Sequence, residues 1–120
     1  MSQYIDGFLL VVPKSKLSAY QKLARRAGKI WRKHGALEYR ECACEDPKAP
    51  SMLPFPQVIK AKPSEVVIFS YAVFKSRKHR DAVNKRIFAD QGLQTLADTA
   101  NKLVDCQRMA YGGFQSIVSL

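Results

Sequence analysis

Two segments that are apolar at nearly every position, a helical stretch placed after each of them, and two shorter strand-like segments predict an α+β fold with the element order βαββαβ. That order is the ferredoxin-like arrangement, a four-stranded antiparallel sheet that carries its helices on one face. The 120 residues and 13.5 kDa suit a single domain spanning 1–120, and 47% apolar residues are enough to pack its interior without disulfides or metal.

The first element, Gln3 to Val12, is rich in β-formers, apolar after Gly7 and stopped by Pro13, the pattern of a strand covered on both faces. From Lys16 to His34, Leu17, Tyr20, Leu23, Ala24, Ala27, Ile30 and Trp31 form a 3.6-period stripe, and Gly35 ends the helix in a positive-φ conformation. Ala36 to Cys44 alternates: Leu37 and Tyr39 take one face, Glu38, Arg40 and Cys42 the other. Residues 46–63 hold five prolines and no sustained period, so a long loop is expected there, a lid, an arm or a partner-binding segment.

Glu65 to Lys75 is a second strand apolar on both faces. Ser76 then caps a helix to about Ala89 with Val83, Ile87 and Phe88 inward, and a short helical stretch follows at Leu93 to Leu103. Arg108 to Val118 closes the sheet, with Gly112 and Gly113 marking a bulge or a close backbone approach. A sheet with helices on one side leaves its other face bare, yet the first and third strands read as dry on both. The economical cover is a second copy of the chain, two sheets packing face to face in a homodimer.

The stretches YIDGF (Tyr4 to Phe8), GKIWRKHGALEYREC (Gly28 to Cys42), FKSRKHRDAVNKR (Phe74 to Arg86) and RMAYGGF (Arg108 to Phe114), in this order and spacing, resemble the YbaA-like family of bacterial domains of unknown function. The resemblance runs from one end of the chain to the other. It implies a dimeric α+β barrel, in which two ferredoxin-like protomers join their sheets. Related barrels include cofactor-independent monooxygenases, haem proteins and small-ligand sensors, so the resemblance names no single reaction.

Several polar side chains stand in otherwise apolar elements. Tyr39 and Glu41 share a strand face and, with Asp6, Trp31, His34 and Arg108, make a candidate pocket lining between sheet and helices. In it Arg108 would clamp an anionic group and Glu41 accept a proton; the competing reading is an ion-pair network that joins strands. His34 lies near a helix C-terminus, where the dipole favours its charged form. His79 stands in a first helical turn, where the dipole favours a neutral base. Arg80 and Asp81 are expected to point to different parts of their helix.

Two histidines forty-five residues apart, with no second ligand at helical spacing, give no metal site, and no phosphate loop or nucleophile elbow is present. No cofactor is expected. Cys42 and Cys44, two apart on a strand, are small apolar fillers rather than a bridge. Twenty Lys and Arg against ten Asp and Glu give a net charge of +10, concentrated in the two helices. Arg25, Arg26, Lys29, Arg32, Lys33, Arg77, Lys78, Lys85 and Arg86 form a candidate polyanion surface.

The third strand, EVVIFSYAVF, lacks the aromatic signature by which an RNA-recognition sheet stacks bases. The first expectation is therefore a small, anionic molecule, bound with or without turnover, and a non-catalytic nucleic-acid binder is second. No targeting or membrane-spanning segment is read from the sequence, so the cytoplasm is the expected compartment and no membrane partner is expected.

Overall fold

The computed structural model describes residues 2–48 and 50–120; Met1, and Ala49 within the expected proline-rich loop, lie outside them. The elements in chain order are β1 (Tyr4–Pro13), α1 (Leu17–Lys33), β2 (Glu38–Ala43), α2 (Phe55–Val58), β3 (Glu65–Phe74), α3 (Arg77–Phe88), α4 (Gln91–Leu103) and β4 (Ala110–Gln115). The sheet order is β2-β3-β1-β4 with every neighbouring pair antiparallel, which is the ferredoxin-like topology expected from the sequence.

The central pair, β1 and β3, runs in register from Tyr4 opposite Phe74 to Pro13 opposite Glu65. That register sorts the side chains. Tyr4, Asp6, Phe8, Leu10 and Val12 of β1 share the helix side with Ile68, Ser70, Ala72 and Phe74 of β3 and with Tyr39 and Glu41 of β2. One core cluster gathers Leu10, Val12, Tyr20, Leu23, Ala24, Ile68, Leu96 and Val104, and another gathers Ala36, Ala72, Phe74, Val83 and Ile87. Full burial of a Phe, Ile or Val side chain contributes about 1.5–3 kcal/mol. Phe74, Ile87, Val12 and Val83, fully buried here, anchor the helices to the sheet.

Helix boundaries follow local chemistry. α1 is preceded by a turn of 3-10 helix at Lys14–Lys16 and has no capping side chain, and Gly35 (φ 119°) lets the chain turn back into β2 as expected. Ser76 caps α3 by accepting from the His79 amide at 3.1 Å. Asp90 caps α4 by accepting from the Gly92 amide at 2.7 Å. That cap nucleates a helix of 13 residues where the sequence pointed only to a short stretch from Leu93.

Other expectations are corrected. Phe88 is exposed rather than inward, because α3 turns only Val83 and Ile87 fully to the core. The loop at 46–63 contains the helical turn α2, whose Phe55 packs against Phe69 on the sheet face away from the other helices. β4 spans only Ala110–Gln115, since Cys106–Arg108 forms a 3-10 turn capped by Asp105. Gly112 and Gly113 make no bulge, because the β1–β4 register is continuous; they allow the Phe114 and Tyr4 rings to approach the backbone closely. Cys42 and Cys106 are exposed free thiols and Cys44 is half-buried, so none is a core filler.

The second sheet face is incompletely covered. Val11, Val67 and Val73 are buried on it, but Phe69 is 44% and Phe114 59% exposed, with Ile5, Leu9 and Tyr71 half-buried between them. No helix among the described residues is long and apolar enough to cross a membrane.

Candidate functional site

Small residues decide where the helix layer leaves room. Ala24, Ala27 and Gly28 on α1 and Ala97 and Ala100 on α4 stand where larger side chains would fill the space above the sheet. An inner cavity of about 260 Å³ lies between α1, α4 and the sheet, walled by Phe8, Leu23, Trp31, Leu93, Leu96 and Met109 among others. A more open outer groove of about 630 Å³ lies between α1 and β2. Tyr20, Ala24, Tyr39 and Glu41 line both.

The partition is a hydrogen-bonded cluster. The Tyr20 hydroxyl donates to Glu41 Oε1 at 2.6 Å and the Tyr39 hydroxyl to Glu41 Oε2 at 2.5 Å. A carboxylate flanked by two phenols in a largely apolar site is a short, charge-assisted arrangement. Burial first, and then the Glu41 charge and its hydrogen bonds, push both phenols far above the ordinary tyrosine range. They are therefore fixed as donors. Trp31 stacks obliquely on Tyr39 at 5.9 Å between ring centroids and holds that ring from the side. Gly28 lets it approach the helix: a Cβ there would lie 2.7 Å from Tyr39 Cδ1.

Ser70 faces Glu41 directly across the β2–β3 pair and also lines the inner cavity. Among the described residues, no lysine, arginine or histidine lines that cavity. The cations belong to the outer groove, where Arg25, Lys29 and Arg32 rise along one face of α1. Arg32 is further held by the carbonyls of Ala36, at 3.0 Å, and Leu37.

Of the pocket residues expected from the sequence, Trp31, Tyr39 and Glu41 meet at the inner cavity. The others do not join them. Asp6, 3% exposed, is paired with Arg80 Nη1 at 2.6 Å and accepts from the Tyr111 hydroxyl at 2.9 Å, joining β1, α3 and β4. Arg80 also reaches Asp81 at 2.7 Å, so these two neighbours do not point apart. His34, at the end of α1, bonds through Nε2 to Asp90 Oδ2 at 2.6 Å, which fastens α1 to the start of α4 and lowers the Asp90 pKa.

His79 accepts the Lys75 amide on Nδ1 at 3.0 Å, and burial first, then Lys75 and Arg86, hold its pKa below the usual value. Arg108 is not on a strand and clamps a protein carboxylate: its Nη1 lies 2.6 Å from Glu65 Oε2 and its Nη2 3.0 Å from Glu65 Oε1. The Arg108 hydrogen bonds, with a further one from the Lys62 amide, take the Glu65 pKa down to about 2. Asp6 and Arg108 are thus each held by an ion pair within the chain, Asp6 with Arg80 of α3 and Arg108 with Glu65 of β3.

The basic surface is likewise divided. Arg86 donates to the His34 carbonyl at 2.7 Å and Lys33 lies 3.5 Å from Asp90, so both serve the end of α1, while Arg26, Arg77, Lys78 and Lys85 are exposed. The structure adds Tyr20 and Ser70 to the site residues that the sequence marks. Their signals were present: one hydroxyl in the apolar stripe of α1, and one in the middle of the apolar run of β3.

A ferredoxin-like sheet with a cavity between its helices and its strands defines the class, and comparison gives the family. The profile of the family described as "Protein of unknown function (DUF1428)" matches residues 3–104. The "Uncharacterized protein YbaA" of Escherichia coli (strain K12) is 34% identical over 116 residues, covering 97% of each chain. The chain therefore belongs to the YbaA-like DUF1428 family, as the resemblance in the sequence implied.

Among solved structures, a mutant of SnoaB, a cofactor-independent oxygenase from Streptomyces nogalater, superposes with a TM-score of 0.61 at 13% identity, over 99% of this chain and 96% of that one. A NIPSNAP family protein of unknown function from Agrobacterium tumefaciens gives a TM-score of 0.63 at 14% identity, over 95% of this chain and 87% of that one. At these identities the likeness is one of fold.

Proposed function

We propose that this protein binds a small, mainly apolar organic molecule in the inner cavity, with the polar end of that molecule directed to the Glu41 cluster. The observation that carries the reading is the contrast within one cavity: walls that are aliphatic and aromatic apart from the Cys106 thiol, and a hydrogen-bonding end made by Glu41, Tyr20, Tyr39 and Ser70. Binding sites of this kind place few polar groups in an apolar cleft to orient what enters. The likeness to a cofactor-independent oxygenase is in keeping with a fold that receives an organic molecule unaided. Both hydroxyls donate to Glu41, so the cluster orients a ligand rather than supplying a free nucleophile.

The test uses Trp31, the one tryptophan and a wall of the cavity. Naphthalene titrated into the protein should change its fluorescence saturably. Ala97→Phe, on the exposed rim of the wall, should weaken that binding by roughly tenfold or more, since a filled cavity leaves the ligand no room. A wild-type protein without saturable response, or a folded A97F variant with unaltered affinity, overturns the proposal.

A second reading is favoured by Arg25, Lys29 and Arg32 in the outer groove: an organic anion held there, its charge on α1. It retains the anionic ligand expected from the sequence but moves it away from Arg108. We also place the working unit as a homodimer through the open sheet face, in the cytoplasm. Nucleic acid on the remaining basic residues is the less favoured alternative, and its mark would be affinity that falls steeply with salt.

A further inference from the structure

Ser70 is the polar residue of the described structure whose position the fold itself does not explain. It is 4% exposed, sits mid-strand on β3, and lies between Phe8 of β1 and Glu41 of β2 in the sheet register. None of the side-chain hydrogen bonds among the described residues uses its hydroxyl, which faces the inner cavity. No buried side-chain nitrogen or oxygen among the described residues is left unpaired, so this hydroxyl is one that stays open to the cavity, where an entering molecule can reach it. Beside it, Glu41 has accepted one phenol on each oxygen, and a carboxylate has further lone pairs to offer. The polar end of the cavity thus presents one unused donor and one unsaturated acceptor, set opposite each other across two paired strands.

Only certain chemistry satisfies both. A hydrocarbon leaves both unpaired. A carboxylate or phosphate is repelled by Glu41 and, among the described residues, finds no lysine, arginine or histidine in the inner lining. A hydroxyl both donates and accepts. Resting on the cavity reading above, we infer that the inner cavity takes a neutral hydroxyl compound, an alcohol or phenol of one or two rings, whose OH donates to Glu41 and accepts from Ser70. The size follows from about 260 Å³ of space and the ring character from Phe8 and Trp31 in the wall.

Three probes of one shape test it: naphthalene, 2-naphthol and 2-naphthoate, titrated by calorimetry at neutral pH. 2-Naphthol should bind about tenfold or more tighter than either of the others, the worth of one to two buried hydrogen bonds. Ser70→Ala and Glu41→Gln should each bring the ratio of 2-naphthol to naphthalene affinity down towards one, whereas a merely structural role would weaken both probes alike and leave that ratio where it is. Equal binding of naphthalene and 2-naphthol, tighter binding of 2-naphthoate, or S70A weakening both neutral probes alike overturns the inference and leaves the cavity reading in place. Failure of all three probes on the wild-type protein overturns both.

Discussion

Glu41 shows how one side chain sets the properties of two others. Tyr20 comes from α1 and Tyr39 from β2, and only the carboxylate between them brings their hydroxyls to one point. Because burial and Glu41 raise both phenols, the folded protein holds their protons where the unfolded chain releases them near 10. The raised groups contribute stability that is complete below pH 10 and is lost as pH rises above it. Each adds a slope of up to about 1.4 kcal/mol per pH unit there. Denaturant melts followed across that range should show this decline. In Glu41→Gln, burial still holds the phenols up but the charge is gone, so their phenolate absorbance should emerge at lower pH than in the wild type. Unchanged phenolate titration would mean that Glu41 does not govern them.

At the scale of elements, the site depends on how closely α1 approaches β2. Gly28 faces the Tyr39 ring, and a methyl group there would stand 2.7 and 2.8 Å from two of its ring carbons. The ring cannot swing aside, being hydrogen-bonded to Glu41 and stacked against Trp31. Gly28→Ala should therefore destabilise the protein, although alanine in a helix is intrinsically favoured by about 1 kcal/mol over glycine. Overpacking typically costs 1–3 kcal/mol, so a net loss of about 1 kcal/mol is expected in thermal or chemical melts, and a gain would show that helix and strand have slack.

This contact marks the boundary of what the sequence could tell. The apolar stripe of α1, the Ser76 cap, the positive-φ Gly35 and the shared face of Tyr39 and Glu41 follow from periodicity and local propensity, and all are found. The partners of Asp6, His34 and Arg108 lie 74, 56 and 43 residues away in the chain, at Arg80, Asp90 and Glu65. Spacing within one element carries no information about such pairs. It shows that a charge stands among apolar neighbours, not whether the protein or a ligand satisfies it.

For the whole molecule the open sheet face is the remaining problem in packing. α2 covers part of it through the contact of Phe55 with Phe69, and Val11 and Val67 are dry. Across the rest, Ile5, Leu9, Phe69, Tyr71 and Phe114 form an apolar surface spread over three strands, with Phe114 lying over the paired glycines Gly7 and Gly112. Contiguous apolar area of this kind on a sheet marks an interface. A self-complementary partner satisfies it with one set of residues used twice. Sedimentation or light scattering should therefore give twice the chain mass of 13.5 kDa for the wild type. Phe69→Asp combined with Phe114→Asp should shift it to one chain mass, since burying a carboxylate in an apolar interface is costly. The inner cavity is on the opposite side of the sheet, so the monomeric variant should keep its naphthalene response at Trp31 if the cavity is complete within one chain. A wild-type monomer would refute the dimer, whereas a dimer whose dissociation abolishes binding would mean that the second copy helps to build the site.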